Sequence, residues 1–233
     1  MGLESIFPRT VFPIFGIPIQ DIVFHTWIVM LVLGVLAYWA GKNLSLRPKR
    51  WQYPIEIFAE YVNGLLSQRI HRHIPGLFDV VATFLLYIAV SNLLGLIPGL
   101  RAPTRSLSTT IALSLFSFAA VHYFGVKERG LGRYARTFVE PVGCILPLNL
   151  LGQVSRTVAM ALRLFGNVVA GESISAVLFQ LVPLIAPLPF NLLGMVTGVL
   201  QALVFTYLTI AFIADAVGEE DDSAEQELIP PES

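Results

Sequence analysis

The sequence predicts an all-α integral membrane protein with about five membrane-crossing helices and one interfacial amphipathic helix. Of its 233 residues, 55% are hydrophobic and 13% are charged, whereas soluble domains carry about 25% charged residues. The mean hydropathy is +0.71. Several windows of about 20 residues carry no charge, which is the length that a helix needs to cross a bilayer. The net charge of −1 argues against nucleic acid as a partner.

Three charge-free windows predict the first three membrane helices, at residues 22–41, 80–100 and 106–126. Residues 1–21 are expected to form an outer segment before them. The third window ends in KERGLGRYAR, which we interpret as a basic turn.

Residues 50–70 predict an amphipathic helix at the membrane surface, because apolar side chains recur at helical spacing with polar ones on the other side. Trp51 and Tyr53 would anchor it at the interface. The apolar positions are Ile55, Phe58, Val62 and Leu65.

The last part of the chain predicts a helical hairpin with unusually long arms, residues 147–182 and 189–217, separated by a proline-rich turn. At 1.5 Å per residue the arms would be about 54 Å and 43 Å long, longer than a hydrocarbon core of about 30 Å. We therefore expect both arms to lie strongly tilted, the alternative being a Gly or Pro kink that splits the first arm. An acidic cytoplasmic tail, residues 218–233, follows.

The distribution of Lys and Arg predicts the orientation, since cytoplasmic loops carry an excess of these residues. The loops after the first and third membrane helices are basic, which places the N-terminus outside and the C-terminus in the cytoplasm. Of the 15 Lys and Arg residues, only Arg156 and Arg163 fall inside a predicted membrane arm.

Charged residues within the first arm indicate a function, because a charge at the bilayer centre costs about 2.5–3.5 kcal/mol by insertion scales. Arg156 and Arg163 are seven residues apart, so they share a helix face about 10 Å apart. Asn167 lies on the same face. Small residues around Arg163 would let another helix approach closely: Ala159, Gly166 and Ala170.

We interpret Arg163 as a fixed mid-membrane cation that attracts a partner carboxylate, because arginine keeps its proton in protein environments. Glu172 lies about 13 Å farther along, toward the predicted outer side, which suits a proton relay. Gln201 of the second arm is near mid-membrane. The alternatives are that Arg156 is a paired or snorkelling arginine and Glu172 an acid bound to Ser or Thr. Asp215 is expected to be an interfacial residue.

These residues resemble subunit a of the F-type ATP synthase membrane sector. The stretch that carries the resemblance is SRTVAMALRLFGNVVAGES, with the LRLFGN core at residues 162–167. Further agreement lies in SNLLGLIPG, APTRSLSTT, PLNLLGQVSR and LQALVF, so that the resemblance covers nearly the whole chain.

By this resemblance Arg163 matches the essential stator arginine, Glu172 the acid of the outer half-channel and Gln201 the glutamine of the last helix. Asn167 matches a polar residue beside the rotor, and Arg156 a basic position before the arginine. The implied partners are the c-subunit ring, the b subunits of the peripheral stalk and, indirectly, the F1 sector, within a bacterial cell (inner) membrane. No cofactor and no metal site are expected.

The sequence also departs from the family pattern. Arg105 and Ser106 stand where many members have an acid, which weakens an outer-entry role for that loop. Gln153 replaces a common Glu, and Gly194 stands where some members have His. Glu172 is therefore expected to lack a histidine partner and to relay protons through water.

The coupling ion is interpreted as H⁺, with Na⁺ as the alternative, because the SRT…RLFGN…AVGE pattern also resembles a sodium-linked side branch of the family. A stand-alone secondary transporter is the alternative class, although such proteins tend to show internal repeats and none is found here. An inert assembly protein would not explain Arg163. No GxxxxGK[ST] element occurs, so no nucleotide site is expected in this chain.

Overall fold

The computed structural model describes residues 10–14, 17–43, 50, 52–95, 100, 102–139, 146–181 and 187–218. Several expectations lie outside this described part: those on residues 1–9, Trp51, residues 182–186 and the acidic tail beyond residue 218.

Within the described residues, seven α-helices follow a short β-hairpin. The hairpin pairs β1 (Thr10–Ile14) with β2 (Ile17–Gln20) in antiparallel register. The helices are α1 (Asp21–Asn43), α2 (Tyr53–Ser67), α3 (Leu77–Leu94), α4 (Leu107–Arg129), α5 (Leu131–Val139), α6 (Leu146–Leu181) and α7 (Pro187–Val217). A 3₁₀ turn, Pro103–Arg105, connects α3 to α4.

The predicted class of an all-α integral membrane protein is confirmed. Among the described helices, five are long and apolar enough to cross a membrane: α1, α3, α4, α6 and α7. Helix α2 has the predicted amphipathic pattern, with Val62 buried and Glu56 and Glu60 exposed. The sequence did not predict the small hairpin before α1, whose strands place Pro13 opposite Pro18. Both strands are edge strands, which tolerate proline.

The segment that we expected to be a basic turn is helical instead. Helix α4 continues to Arg129, and α5 begins after Gly130, whose φ of +78° breaks the helix between them. Tyr134 of α5 packs onto α4 at Gly125, where an added Cβ would lie 2.5 Å from the tyrosine ring. A glycine at this point lets α5 dock closely, and that contact is not visible in the local charge pattern.

Helix α6 is one continuous helix of 36 residues, or about 54 Å, so the alternative of a split first arm does not occur. It lies at the edge of the bundle: only 6% of its apolar window is buried, against 44% of that of α7. Helix α7 packs against α3, α4 and α6 and supplies much of the core. A buried hydrogen bond of 2.8 Å joins Ser117 of α4 to Thr209 of α7.

Basic side chains gather at one end of the bundle. Arg72 and Arg129 both donate to the carbonyl oxygen of Val217, at 2.8 Å and 2.9 Å, where cations interact favourably with the end of α7. Lys127 donates to the carbonyl oxygen of Pro75. Helix α4 begins at the opposite end, directly after the 3₁₀ turn.

Candidate functional site

Arg163 lies on the exposed surface of α6. Within the part of the chain that the structure describes, its guanidinium makes no hydrogen bond and no ion pair. The neighbouring Gly166 and Ala170 are exposed too, and nothing stands within 4 Å of the position that a Gly166 Cβ would take. The surface around Arg163 is therefore open to close approach by another helix.

Two contacts fix how α6 and α7 run past each other. The Asn167 side chain donates to the carbonyl oxygen of Thr197 at 3.2 Å, and Arg156 pairs with Asp215, so the two helices are antiparallel. One turn back from Asn167 is Arg163, and one turn on from Thr197 is Gln201. The two residues therefore lie at the same level of the bundle. Gln201 is only 7% exposed, which makes it a buried amide at the level of the exposed guanidinium.

A small pocket of about 80 Å³, here called the Glu172 pocket, opens on the far side of Asn167 from Arg163. Glycines line much of its wall, and its polar side chains are neutral apart from Glu172 itself. These are Asn92, Asn167, Ser175 and Thr197. Glu172 lies nine residues beyond Arg163, or about 13 Å along the helix.

The expectation that Glu172 relies on water for want of a histidine partner is incomplete, because Arg105 is its partner. Arg105 Nε lies 3.0 Å from Glu172 Oε2, and the two side chains are 14% and 35% exposed, respectively. The loop residue that departs from the family pattern is thus paired with the acid of the proposed outer path. The signal was present in the sequence: a cation replacing an acid favours an anionic neighbour.

Hydrogen bonds among three elements hold the 3₁₀ turn against the pocket. The buried Thr104 hydroxyl donates to Asn92 Oδ1 at 2.6 Å, and Asn92 Nδ2 donates to the carbonyl oxygen of Gly198 at 2.8 Å. A Cβ on Gly198 would lie 3.0 Å from the Asn92 Cβ, and one on Gly95 would lie 2.9 Å from the Ala102 Cβ. Both glycines therefore allow the close approach that places Arg105 at Glu172.

The Arg156 pocket, of about 300 Å³, lies toward the opposite end of the hairpin. Arg156 Nη1 is 3.6 Å from Asp215 Oδ2, and its guanidinium stands 5.1 Å from the centre of the Phe212 ring. Asn149 and Gln153 add polar lining. The alternative of a paired arginine thus describes Arg156, and Asp215 is its partner, with 55% and 43% of the two side chains exposed.

The hairpin therefore carries two polar pockets, one toward each end, with Arg163 between them in sequence and along α6. The carboxylate of each pocket is paired with an arginine, whereas Arg163 has no such pair within the described residues. Those residues include no group of three or more His, Cys, Asp or Glu side chains placed to hold a metal ion. Such an arrangement suits stepwise passage of a cation past a fixed positive charge.

Comparison with known proteins gives consistent results. The profile of the family described as ATP synthase A chain matches residues 23–214. The ATP synthase subunit a 2 of Picosynechococcus sp. is 40% identical over 194 residues, which cover 82% of this chain and 83% of the relative. The ATP synthase subunit a of Moorella thermoacetica is 38% identical over 210 residues, covering 90% and 96%. That of Legionella pneumophila is 32% identical over 218 residues, covering 93% and 95%.

Proposed function

The chain belongs to the ATP synthase A chain family, and from that premise we propose that it is the ion-translocating stator subunit of a rotary ATP synthase. The observation that carries the proposal is the state of Arg163. Its guanidinium is exposed on a membrane helix and has no ion-pair partner within the described residues. A charge in such a place requires a partner from outside the chain, because an unpaired charge in lipid is costly.

The partner that we propose is the membrane carboxylate of each c subunit as the rotor ring turns. At an effective dielectric constant of about 20, two unit charges 4 Å apart attract by about 4 kcal/mol. This attraction favours the ionised carboxylate at Arg163, so the c subunit releases its ion as it arrives. Gln201, at the same level of the bundle, would hydrogen-bond the guanidinium or the arriving carboxylate.

The two pockets would act as offset half-channels. The Glu172 pocket would carry the ion between the outer surface and the ring, and the Arg156 pocket would carry it between the ring and the cytoplasm. Arg163 separates them, and its permanent charge would stop a cation from crossing directly. Asn167 lies between Arg163 and Glu172 and would line the approach to the ring.

The proposed orientation places the N-terminus outside and the C-terminus in the cytoplasm. The basic end of the bundle supports it, since Arg72, Lys127 and Arg129 gather there and cytoplasmic ends are enriched in such residues. The Arg156 pocket belongs to the same end, because Asp215 is two residues from Val217. The b subunits would hold this chain in place beside the ring, and the F1 sector would be reached through them.

The proposed coupling ion is H⁺. A proton passes along hydrogen-bonded side chains and waters, and the neutral polar lining of the Glu172 pocket supplies such groups in a space of about 80 Å³. Glu172 is an acid that can bind and release that proton.

The test replaces Arg163 in the whole complex. Arg163→Ala should abolish ATP-driven pumping into membrane vesicles while the complex still assembles, because the arriving carboxylate would then meet no cation. Arg50→Ala, which removes one exposed positive charge outside the membrane helices, is the matched control and should pump normally. Coupled pumping at the normal rate in Arg163→Ala would overturn the proposal.

A further inference from the structure

A cation of the chain itself is paired with the acid of the Glu172 pocket. The guanidinium of Arg105 lies 3.0 Å from Glu172 Oε2 and is less exposed than the carboxylate it binds. A charge-assisted hydrogen bond of this kind occupies the charge and the lone pairs that an arriving cation would use. We propose that Arg105 competes with the transported cation for Glu172, so that the ion must displace the guanidinium to enter. This inference rests on the proposed role of Glu172 in the outer path.

The turn that carries Arg105 is held firmly, which makes it suitable for such a role. The Pro103–Arg105 turn contacts α1, α3, α4 and α6. Thr104 is fully buried and donates to Asn92, which in turn donates to α7 at Gly198. Since the backbone is fixed on both sides, release of the carboxylate moves only the Arg105 side chain, which remains close enough to bind again.

The charges at the pocket determine how strongly Arg105 opposes the binding of a cation to Glu172. Among the described residues that line the pocket, Glu172 is the only ionisable one, and the neighbouring Arg105 cancels its charge. The pair weakens the attraction of the pocket for cations. Without Arg105, the half-buried Glu172 carboxylate would lose a positively charged neighbour and would attract any monovalent cation more strongly. Arg105 therefore sets how much external ion is needed to load the path.

The exchange of Arg105 for the transported cation at Glu172 conserves charge. For H⁺, a hydronium ion gives its proton to the Glu172 carboxylate, an O–H bond forms, a water molecule remains, and the guanidinium loses its anionic partner. When Glu172 passes the proton on to a c-subunit carboxylate, its negative charge returns and Arg105 binds again. For Na⁺, the carboxylate oxygen would become a ligand of the ion without a covalent change. In both cases the species that displaces Arg105 from Glu172 is a monovalent cation.

The experiment measures ATP synthesis by the whole complex in proteoliposomes at a fixed electrical potential. One arm varies the pH on the side that faces the Glu172 pocket at constant Na⁺, and the other varies Na⁺ on that side at constant pH. Arg105→Gln should lower the half-saturating concentration of the coupling ion about fivefold, because the competing charge is gone, and the arm that responds identifies the ion. Arg50→Gln is the charge-matched control and should leave that concentration unchanged.

Two further variants test the proposal if Arg105→Gln assembles poorly. Arg105→Lys keeps the positive charge but replaces the planar guanidinium with an ammonium group. It should therefore lower the half-saturating concentration by less than the roughly fivefold change expected for Arg105→Gln. Thr104→Val frees the turn without touching either charge and should lower it as well. An unchanged or increased half-saturating concentration in every Arg105 or Thr104 variant that assembles would overturn the inference. Arg163→Ala separates this result from the proposed function, because pumping by that variant would overturn the function itself.

Discussion

Three arginines of this protein differ in whether a carboxylate of the same chain binds the guanidinium. Arg105 and Arg156 bind carboxylates of the same chain, whereas Arg163 has no such partner within the described residues. A paired arginine is neutralised locally and can line a polar path. An exposed, unpaired one is accessible to a carboxylate of another chain, and this difference distinguishes the proposed stator charge from Arg105 and Arg156.

Glu172→Gln should slow ATP-driven pumping about tenfold, because the amide retains the shape of the side chain but cannot bind and release a proton. The measurement is the initial rate of vesicle acidification between pH 6 and pH 9. Glu60→Gln on the exposed surface of α2 is the control, since it removes the same charge away from both pockets. A rate equal to that of the unmodified complex throughout this pH range would reduce Glu172 to a packing residue.

The sequence singled out Arg163, Glu172 and Gln201 as candidates, because each is a polar residue that interrupts an apolar helix. It did not predict the pairing of Glu172 with Arg105. The two residues belong to α6 and to a turn 67 positions earlier in the chain, and helical periodicity reports only on contacts within one helix. Arg156 illustrates the same limit, since its partner Asp215 lies on α7.

Among the elements, the long hairpin arms were predictable and the short connections were not. A stretch of 36 residues that only three charges interrupt predicts α6 by composition and length alone. Helix α5 depends instead on tertiary contacts, among them those of Tyr134 with Gly125 and with the ring of His122. Burial raises the Tyr134 pKa above its ordinary value, and the nearby Arg129 opposes that shift, so the phenol stays neutral near pH 7.

The end of α7 depends on Gly218, which has a φ of +86°. Its N–H donates to the carbonyl oxygen of Ala214 at 2.9 Å, and the Arg129 guanidinium fills the space that a side chain would take. Gly218→Ala should therefore destabilise the protein by about 1–2 kcal/mol, because a left-handed conformation is strained for alanine. The midpoint temperature of unfolding in detergent measures the effect.

Gly132→Ala is the matched control for that variant. Gly132 lies inside α5, is exposed, and has nothing within 4 Å of its Cβ position. Alanine is favoured over glycine in a helix interior, so the control should leave the midpoint unchanged or raise it. Equal destabilisation by both substitutions would contradict the assigned role of Gly218 as the left-handed residue that ends α7.

For the whole molecule, the important asymmetry is between a buried α7 and an exposed α6. Helix α7 is fixed by contacts with α3, α4 and α6, whereas only 6% of the apolar window of α6 is buried. At about 54 Å, α6 is also too long to stand upright in a hydrocarbon core of about 30 Å. A tilted helix can follow the curved side of a rotor over several subunits. An upright one would touch it only briefly.

In the proposed mechanism a c-subunit carboxylate would bind the coupling ion and release it on reaching Arg163, so the choice of ion is a property of the complex. If that ion is H⁺, ATP-driven acidification of vesicles should collapse on adding a protonophore, and ATP hydrolysis should not depend on added Na⁺ at neutral pH. The measurements are dye quenching, radioactive Na⁺ uptake and hydrolysis rate on the same vesicles. Vesicles carrying Arg163→Ala provide the background for each. Uptake of Na⁺ that persists in the presence of protonophore, together with hydrolysis that rises with Na⁺, would instead establish sodium coupling and leave the stator role of Arg163 intact.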